Sequence, residues 1–234
     1  PLLLPRSAPH LLTTLEQQGQ RGQRIHSTID VDLQRRVLAI AKRHTLSLRA
    51  NEVHNAAVLV LDTRSGEVLV YIGNPDPADA EHAGEVDIIH APRSTGSLLK
   101  PFLYADMLQS GELMPDQLVA DLPTHYDGFA PRNYDEQFDG AVPASAALAR
   151  SLNVPAVRAL RQHGIQRTLH TLQAMGMQRI NRDASHYGLS LIVGGAESTL
   201  WELTGAYASL ARIVLQEDSN PVHPPQVIRS EHPP

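Results

Sequence analysis

Two short apolar runs do most to limit what this chain can fold into. Ala56 to Leu61 is uninterrupted and ends at Thr63-Arg64-Ser65-Gly66, and Val68 to Ile72 follows directly. Runs of that length, rich in β-branched residues and joined by a glycine-bearing turn, predict a hairpin of two buried strands. Upstream, Asp30 is placed to cap a helix on which Leu33, Val37, Ile40 and Ala41 form one stripe. Downstream, Asn74 to Arg93 reads as loop, and helical patterns then dominate: Leu98 to about Gln109, Ala144 to Arg150, Ala156 to His163, Gln166 to Met175 and Ser198 to Leu215. Two early strands followed by a block of helices is the order of an α+β fold, a helical cluster packed on a short antiparallel sheet.

With 234 residues and 42% hydrophobic content, the chain can bury one sizeable core, or a core with a small appendage. A net charge of -5 and a pI near 6.2 argue against nucleic acid as a partner. No apolar run approaches the ~18 residues of a membrane span, and Pro1 to Pro5 is too short for a signal or an anchor. Zero cysteines leave the redox compartment open. Glu81, His82, Asp87 and His90 could be drawn as a metal site, and His163 with His170 as a pair. None has the tight spacing of a zinc motif, so no metal or cofactor is expected. Asp127, Asp135, Glu136 and Asp139 are better read as a loop lining a groove than as a glycosidase acid pair. Gly194-Gly195 lacks the lysine and third glycine of a phosphate cradle.

The chemistry concentrates in Ser97-Leu98-Leu99-Lys100. Lys100 is one of only two lysines among twenty Lys+Arg residues. A chain that uses arginine almost everywhere, yet keeps lysine three residues after a serine, points to a cation that must lose its proton. Arginine cannot do that, whereas a desolvated lysine can take the proton from a serine hydroxyl. With fifteen serines in the chain, a chance Ser-x-x-Lys has a probability of roughly 0.13, so the setting carries the argument. Ser94-Thr95-Gly96 reads as a loop ending where a helix begins, which puts Ser97 at a helix N-terminus that favours developing negative charge. Pro101 cannot close the first turn onto the Ser97 carbonyl, so that turn is expected to be irregular.

A second element, Ser151-Leu152-Asn153, follows the alanine-rich stretch and precedes Val154-Pro155, where a helix is expected to stop and a loop to begin. By itself a Ser-x-Asn carries little information. On such a loop the serine and asparagine could hydrogen-bond Lys100 and a substrate amide together.

Six ordered blocks extend the pattern: Thr28-Ile29-Asp30 with Leu33-Gln34, Ala57 to Gly73, Gly96 to Tyr104, Pro131 to Asp135 with Phe138 and Gly140, Ala147 to Val157, and Tyr187 to Glu197. Together they resemble the transpeptidase domain of the bifunctional penicillin-binding proteins over most of residues 25 to 212. The resemblance implies a serine transpeptidase/β-lactamase-like fold and a D,D-transpeptidase activity on peptidoglycan stem peptides, blocked by β-lactam antibiotics. It makes Ser97 the nucleophile, with its own N–H as half of an oxyanion hole, and Lys100 the general base. Ser151 becomes a proton relay, and Asn153 the holder of the substrate backbone. It also implies the periplasmic face of the bacterial cytoplasmic membrane, reached through an anchor outside this chain, with a glycosyltransferase domain upstream.

The chain departs from the family pattern in two places. Thr95 stands where the family usually has proline, and no lysine follows Lys100, so the third motif, Lys-Thr-Gly or Lys-Ser-Gly on a late strand, has no counterpart. Leu203-Thr204-Gly205 is no substitute, since Glu202 to Ala211 has the pattern of an amphipathic helix. Opening on Pro1 and closing on His232-Pro233-Pro234, the chain is expected to be part of a longer one, an incomplete fold with its late strands missing. The expected organisation is a linker over 1–24 with one short helix around Leu11 to Gln18, an interdomain helix segment over 25–50, the N-terminal part of the transpeptidase domain over 51–215 and a tail over 216–234. A non-enzymatic alternative is a truncated transpeptidase-like binding or scaffold module whose Ser97 is unreactive.

Overall fold

The computed structural model describes residues 7–126, 128–215 and 220–229; Pro1 to Pro5 and Asp127 lie outside them. The chain forms two compact units, residues 1–91 with 199–234, and residues 92–198.

The first unit is built on the expected hairpin. Strands β1 (Val58–Leu61) and β2 (Val68–Ile72) pair antiparallel, with Leu59 opposite Tyr71 and Val60 opposite Val70. Alternate side chains point to opposite faces, except where the register shift at Val60/Leu61 turns Val68 to the face opposite Val70. Both faces are covered, which is why the runs are continuously apolar. On one face Val70 and Ile72 pack with Ala41, Leu33, Val37 and Leu38 of helix α2 (Val31–Leu48). On the other, Leu59, Val68 and Tyr71 pack with Leu11 and Leu15 of α1 (Pro9–Leu15) and with Leu200 and Trp201 at the start of α8 (Leu200–Leu215). The segment expected as a linker therefore contains a helix with a buried face, continued by a π-type turn over Glu16–Gln20. Within the expected tail, Val68 N–H donates to Gln226 O (2.7 Å) and Arg229 N–H to His26 O (2.9 Å), so residues 226–229 are tied down through their backbone.

The Asp30 carboxylate caps α2 as expected, accepting from the N–H groups of Asp32 and Leu33. The buried stripe is rotated from the one the sequence predicts. Ile40 is 54% exposed, and Gln34 is buried instead. At about 100° per residue, Ala41, Gln34 and Thr45 share one direction and Ile40 points about 120° away from it. The Gln34 amide is drawn inward by the free edge of β2. Its Nε2 donates to Tyr71 O (2.9 Å) and its Oε1 accepts from Tyr71 N (2.8 Å), standing in for a third strand.

The second unit holds the helices α3 (Lys100–Gln109), α4 (Ala144–Ala149), α5 (Asn153–His163), α6 (Ile165–Ala174) and α7 (Ala184–Tyr187). They are accompanied by two ribbons, β3 (Arg93–Ser94) with β6 (Glu197–Ser198) and β4 (Leu118–Asp121) with β5 (Gly140–Pro143). Among the described residues, three two-stranded antiparallel ribbons and predominantly helical secondary structure make the class α+β, as the element order predicts. Helices α3, α5 and α6 pack on one another through residues such as Leu103, Met107, Leu160, Leu169 and Leu172, all buried. A polar link reinforces them. The fully buried His163 ring sits between Asp106 Oδ2 (2.9 Å) and Glu112 Oε2 (3.1 Å), Thr171 Oγ1 donates to Asp106, and Arg167 donates to Glu112. His163 thus ties its own helix to α3, while His170 is exposed.

Replacing Gln34 by leucine preserves the volume but leaves Tyr71 N–H and C=O without partners. At ~1–3 kcal/mol for each buried unpaired group, urea unfolding of Gln34→Leu should show a loss of at least about 2 kcal/mol.

Candidate active site

Ser97 and Lys100 flank the start of α3, but not as the sequence alone suggests. The helix begins at Lys100, with Leu99 as its N-cap residue, so Ser97 lies ahead of it in a tight turn. Leu98 N–H donates to Thr95 O (3.0 Å), and Lys100 N–H to Ser97 O (3.2 Å). The irregular first turn expected from Pro101 is present, because proline at the second helical position cannot bond back to Ser97. Gly96 has φ 53, the left-handed conformation that glycine adopts at no steric cost. Ser97 is half-buried, and its N–H donates to no acceptor among the described residues.

This turn is pinned from the far end of the unit. Thr95 is buried and bonds Ala196 O through both its N–H (3.0 Å) and its hydroxyl (3.2 Å), and Ser94 Oγ donates to Gly194 O (2.8 Å). A Cβ at Gly194 would lie 2.8 Å from Ser94 Oγ and 3.2 Å from the Gly96 Cα. Gly194 and Gly195 thus form a close-packed turn beside the nucleophile candidate.

Lys100 is 1% exposed, and its ammonium is fully engaged. Nζ donates to Ser151 O (2.6 Å), Ser151 Oγ (3.2 Å) and Asn153 Oδ1 (2.7 Å). Three of the four residues singled out in the sequence therefore meet at one nitrogen. The fourth, Ser97, lies one turn away and makes no hydrogen bond to Nζ, whose three protons are all committed. Desolvation pushes the Lys100 pKa down from 10.5 to about 8, since burial penalises the charged form.

Ser151 and Asn153 differ from expectation in one respect. Asn153 is not on a loop after a helix; it opens α5, and Pro155 occupies the first turn, where its missing N–H costs nothing. Ser151 occupies the short gap between α4 and α5 with φ 56, a left-handed conformation costing a serine on the order of 1–3 kcal/mol. That conformation lets its carbonyl and its hydroxyl face Lys100 together. Asn153 Nδ2 donates to Arg132 O (2.9 Å), which fixes the amide so that its oxygen faces the lysine.

The sequence did not single out Asp121 or Asn133, although Asn133 lies within one of the six blocks. The buried Asn133 amide accepts from the backbone of Asn153 and donates to Asp121. The acidic residues weighed as a glycosidase pair have structural partners: Asp139 pairs with Arg150, Glu136 with Arg132, and Asp135 accepts from Gln137 N–H. No group of three metal-ligating side chains occurs among the described residues.

A buried lysine with a lowered pKa is thus clasped by a serine and an asparagine, one turn from a half-buried serine. The family model of the penicillin binding protein transpeptidase domain matches residues 56–212, and the chain belongs to that family. Penicillin-binding protein 1C of Escherichia coli (strain K12) is 34% identical over 213 residues, 90% of this chain and 27% of that protein. Penicillin-binding protein 1B of Vibrio cholerae is 32% identical over 175 residues, 70% of this chain and 21% of that protein. The chain thus spans about a quarter of the length of these curated relatives. Among solved structures, penicillin-binding protein 1A from Haemophilus influenzae superposes with a TM-score of 0.57 at 26% identity, covering 66% of this chain and 23% of that one. PonA1 from Mycobacterium tuberculosis gives 0.71 at 23% identity over 96% and 58%, a likeness of fold.

The lysine pKa gives a stability signature. In the folded chain Lys100 loses its proton near pH 8, and in the unfolded chain near 10.5. Between those values the unfolded state holds more protons, so stability rises with pH across that window. Urea midpoints measured at both ends of the window should show this rise, and Lys100→Met should abolish it.

Proposed function

We propose that this chain carries the acyl-transfer centre of a peptidoglycan D,D-transpeptidase, the activity that cross-links stem peptides in the cell wall. The observation that supports it most is the clasp of Ser151 and Asn153 on the buried Lys100 ammonium. In its neutral form Lys100 has a lone pair to take the Ser97 proton as Oγ attacks the carbonyl between two D-alanines. The Ser97 N–H stabilises the oxyanion that forms. When the tetrahedral intermediate collapses, the C–N bond breaks and the leaving D-alanine amine takes a proton delivered through Ser151. The acyl-enzyme ester is then attacked by the amine of a second stem peptide, which gives up its proton by the same route and frees Ser97. Asn153 holds the substrate backbone. A β-lactam enters by the same first step, but its leaving nitrogen stays tethered and the ester persists.

The partners of this reading are stem peptides and β-lactam antibiotics, without metal, cofactor or nucleic acid. The reading places residues 51–215 as the N-terminal part of the transpeptidase domain, following a linker over 1–24 and a helix segment over 25–50, with a tail over 216–234. The site faces the periplasm beside the bacterial cytoplasmic membrane. No helix among the described residues is long and apolar enough to cross a membrane, so the anchor this reading requires lies outside the chain.

Intact-protein mass after incubation with benzylpenicillin tests the proposal, with Ser97→Ala as the control. A single adduct that the control abolishes is the expected result. No adduct on a folded chain would overturn acyl transfer by these 234 residues and favour a non-catalytic transpeptidase-like module.

A further inference from the structure

The first turn of α5 presents Asn153 to Lys100, yet nothing in α5 itself holds that turn. Its N-cap residue is Leu152, and no side chain of the helix caps it. A helix start leaves four N–H groups to be satisfied from outside. Here Leu152 N–H donates to Ala147 O (2.9 Å), and Pro155 has no N–H. The remaining two, on Asn153 and the fully buried Val154, both donate to Asn133 Oδ1, at 2.9 and 3.2 Å. One amide oxygen from twenty residues upstream completes the set.

The same amide is saturated at its other end. Asn133 Nδ2 donates to Asp121 Oδ1 (2.8 Å) and to Gln137 O (2.8 Å). Asp121 is fully buried at the end of β4, and its Oδ2 accepts from Asp139 N–H (3.0 Å). Asp139 in turn pairs with Arg150, and Arg132 O accepts from Asn153 Nδ2. Residues on both sides of Ser151, Arg150 and Asn153, are therefore tied to one loop, 132–139. Ser151 itself sits in the left-handed conformation, which relaxes when its neighbours are released.

We propose that Asp121 and Asn133 are positioning residues of the acyl-transfer site, holding the strained Ser151 and the Asn153 amide where both accept from Lys100. This rests on the functional reading above. Neither residue touches the Lys100 ammonium; both act through α5.

The chain contains only Lys42 and Lys100, so lysine-labelled protein gives two side-chain NMR signals, with the exposed Lys42 as internal control. Asn133→Asp still accepts from both helix N–H groups but sets a second carboxylate against Asp121. The Lys100 titration midpoint is expected to move by about one unit while Lys42 stays, and benzylpenicillin acylation of Ser97 to slow by about tenfold. Adding Asp121→Asn restores a donor facing the new carboxylate and should recover most of both effects. A folded Asn133→Asp variant with an unmoved Lys100 midpoint overturns the proposal, as does a loss that Asp121→Asn leaves unrepaired. Should Asn133→Asp fail to fold, Arg150→Ala releases the other tie at a half-exposed side chain, and an unmoved Lys100 midpoint there overturns it equally. The titration needs no acyl donor, so failure of acylation in the unmodified chain would count against the functional reading alone.

Discussion

The Lys100 ammonium is the group around which the second unit is arranged. A cation 1% exposed to solvent is tolerated only when each of its donors meets an oxygen, because an unpaired buried charge costs several kcal/mol, on the order of 3–5. Here the three oxygens come from Ser151 and Asn153, which lie about fifty residues further along the chain. Packing apolar helices together does not by itself dictate such a meeting, since hydrophobic burial is non-directional. The charge supplies the direction: the fold in which Lys100 is buried must also be the fold in which the Ser151 turn closes over it.

The choice of lysine follows from the same geometry. Three tetrahedral donors on a compact head match three oxygens converging on one point, whereas a planar guanidinium with five donors would leave some unmatched. Only lysine can then release its proton as desolvation lowers its pKa. Acceptors that hold the ammonium in the resting state and a burial that weakens its hold on the proton act in opposite senses, and it is the desolvation that brings the group down to about 8. The strain at Ser151 is the local cost of turning two oxygens of one residue toward the same nitrogen.

The hairpin, most helices and the approach of Ser151 and Asn153 to Lys100 were legible in the sequence, because each rests on a local signal. Continuous apolar runs, a Gly-bearing turn, the Asp30 cap and the Ser97-Leu98-Leu99-Lys100 spacing all act within a few residues. What escaped depends on partners distant in sequence. Gln34 reads as an exposed polar residue until the edge of β2 is beside it. Ile40 fits the periodic stripe but loses its place to that glutamine. The start of α5 carries no such local signal, because Leu152 is a poor cap and Pro155 has the pattern of a terminator. Only the side chain of Asn133, twenty residues upstream, supplies the missing cap.

Helices α3 and α5 are joined by polar links at two well-separated points. Near their N-termini, Lys100 reaches Asn153; near the C-terminus of α5, His163 reaches Asp106 of α3. One such link would leave each helix free to swivel about it, and the greasy contact between them would accommodate small rotations at little cost. Two links on the same pair of helices remove that freedom. Six residues separate the two anchor points on α3 and ten on α5, about 9 and 15 Å along the respective axes, so a rotation that relaxes one link strains the other. The buried imidazole at the far end thereby helps define the site. It fixes the angle at which α5 presents Asn153 to the lysine, and it does so with carboxylate partners drawn from α3 and from the loop that follows it. Precision at Lys100 is in this sense distributed: the short contacts are local, but the frame that keeps them short is secured a helix length away.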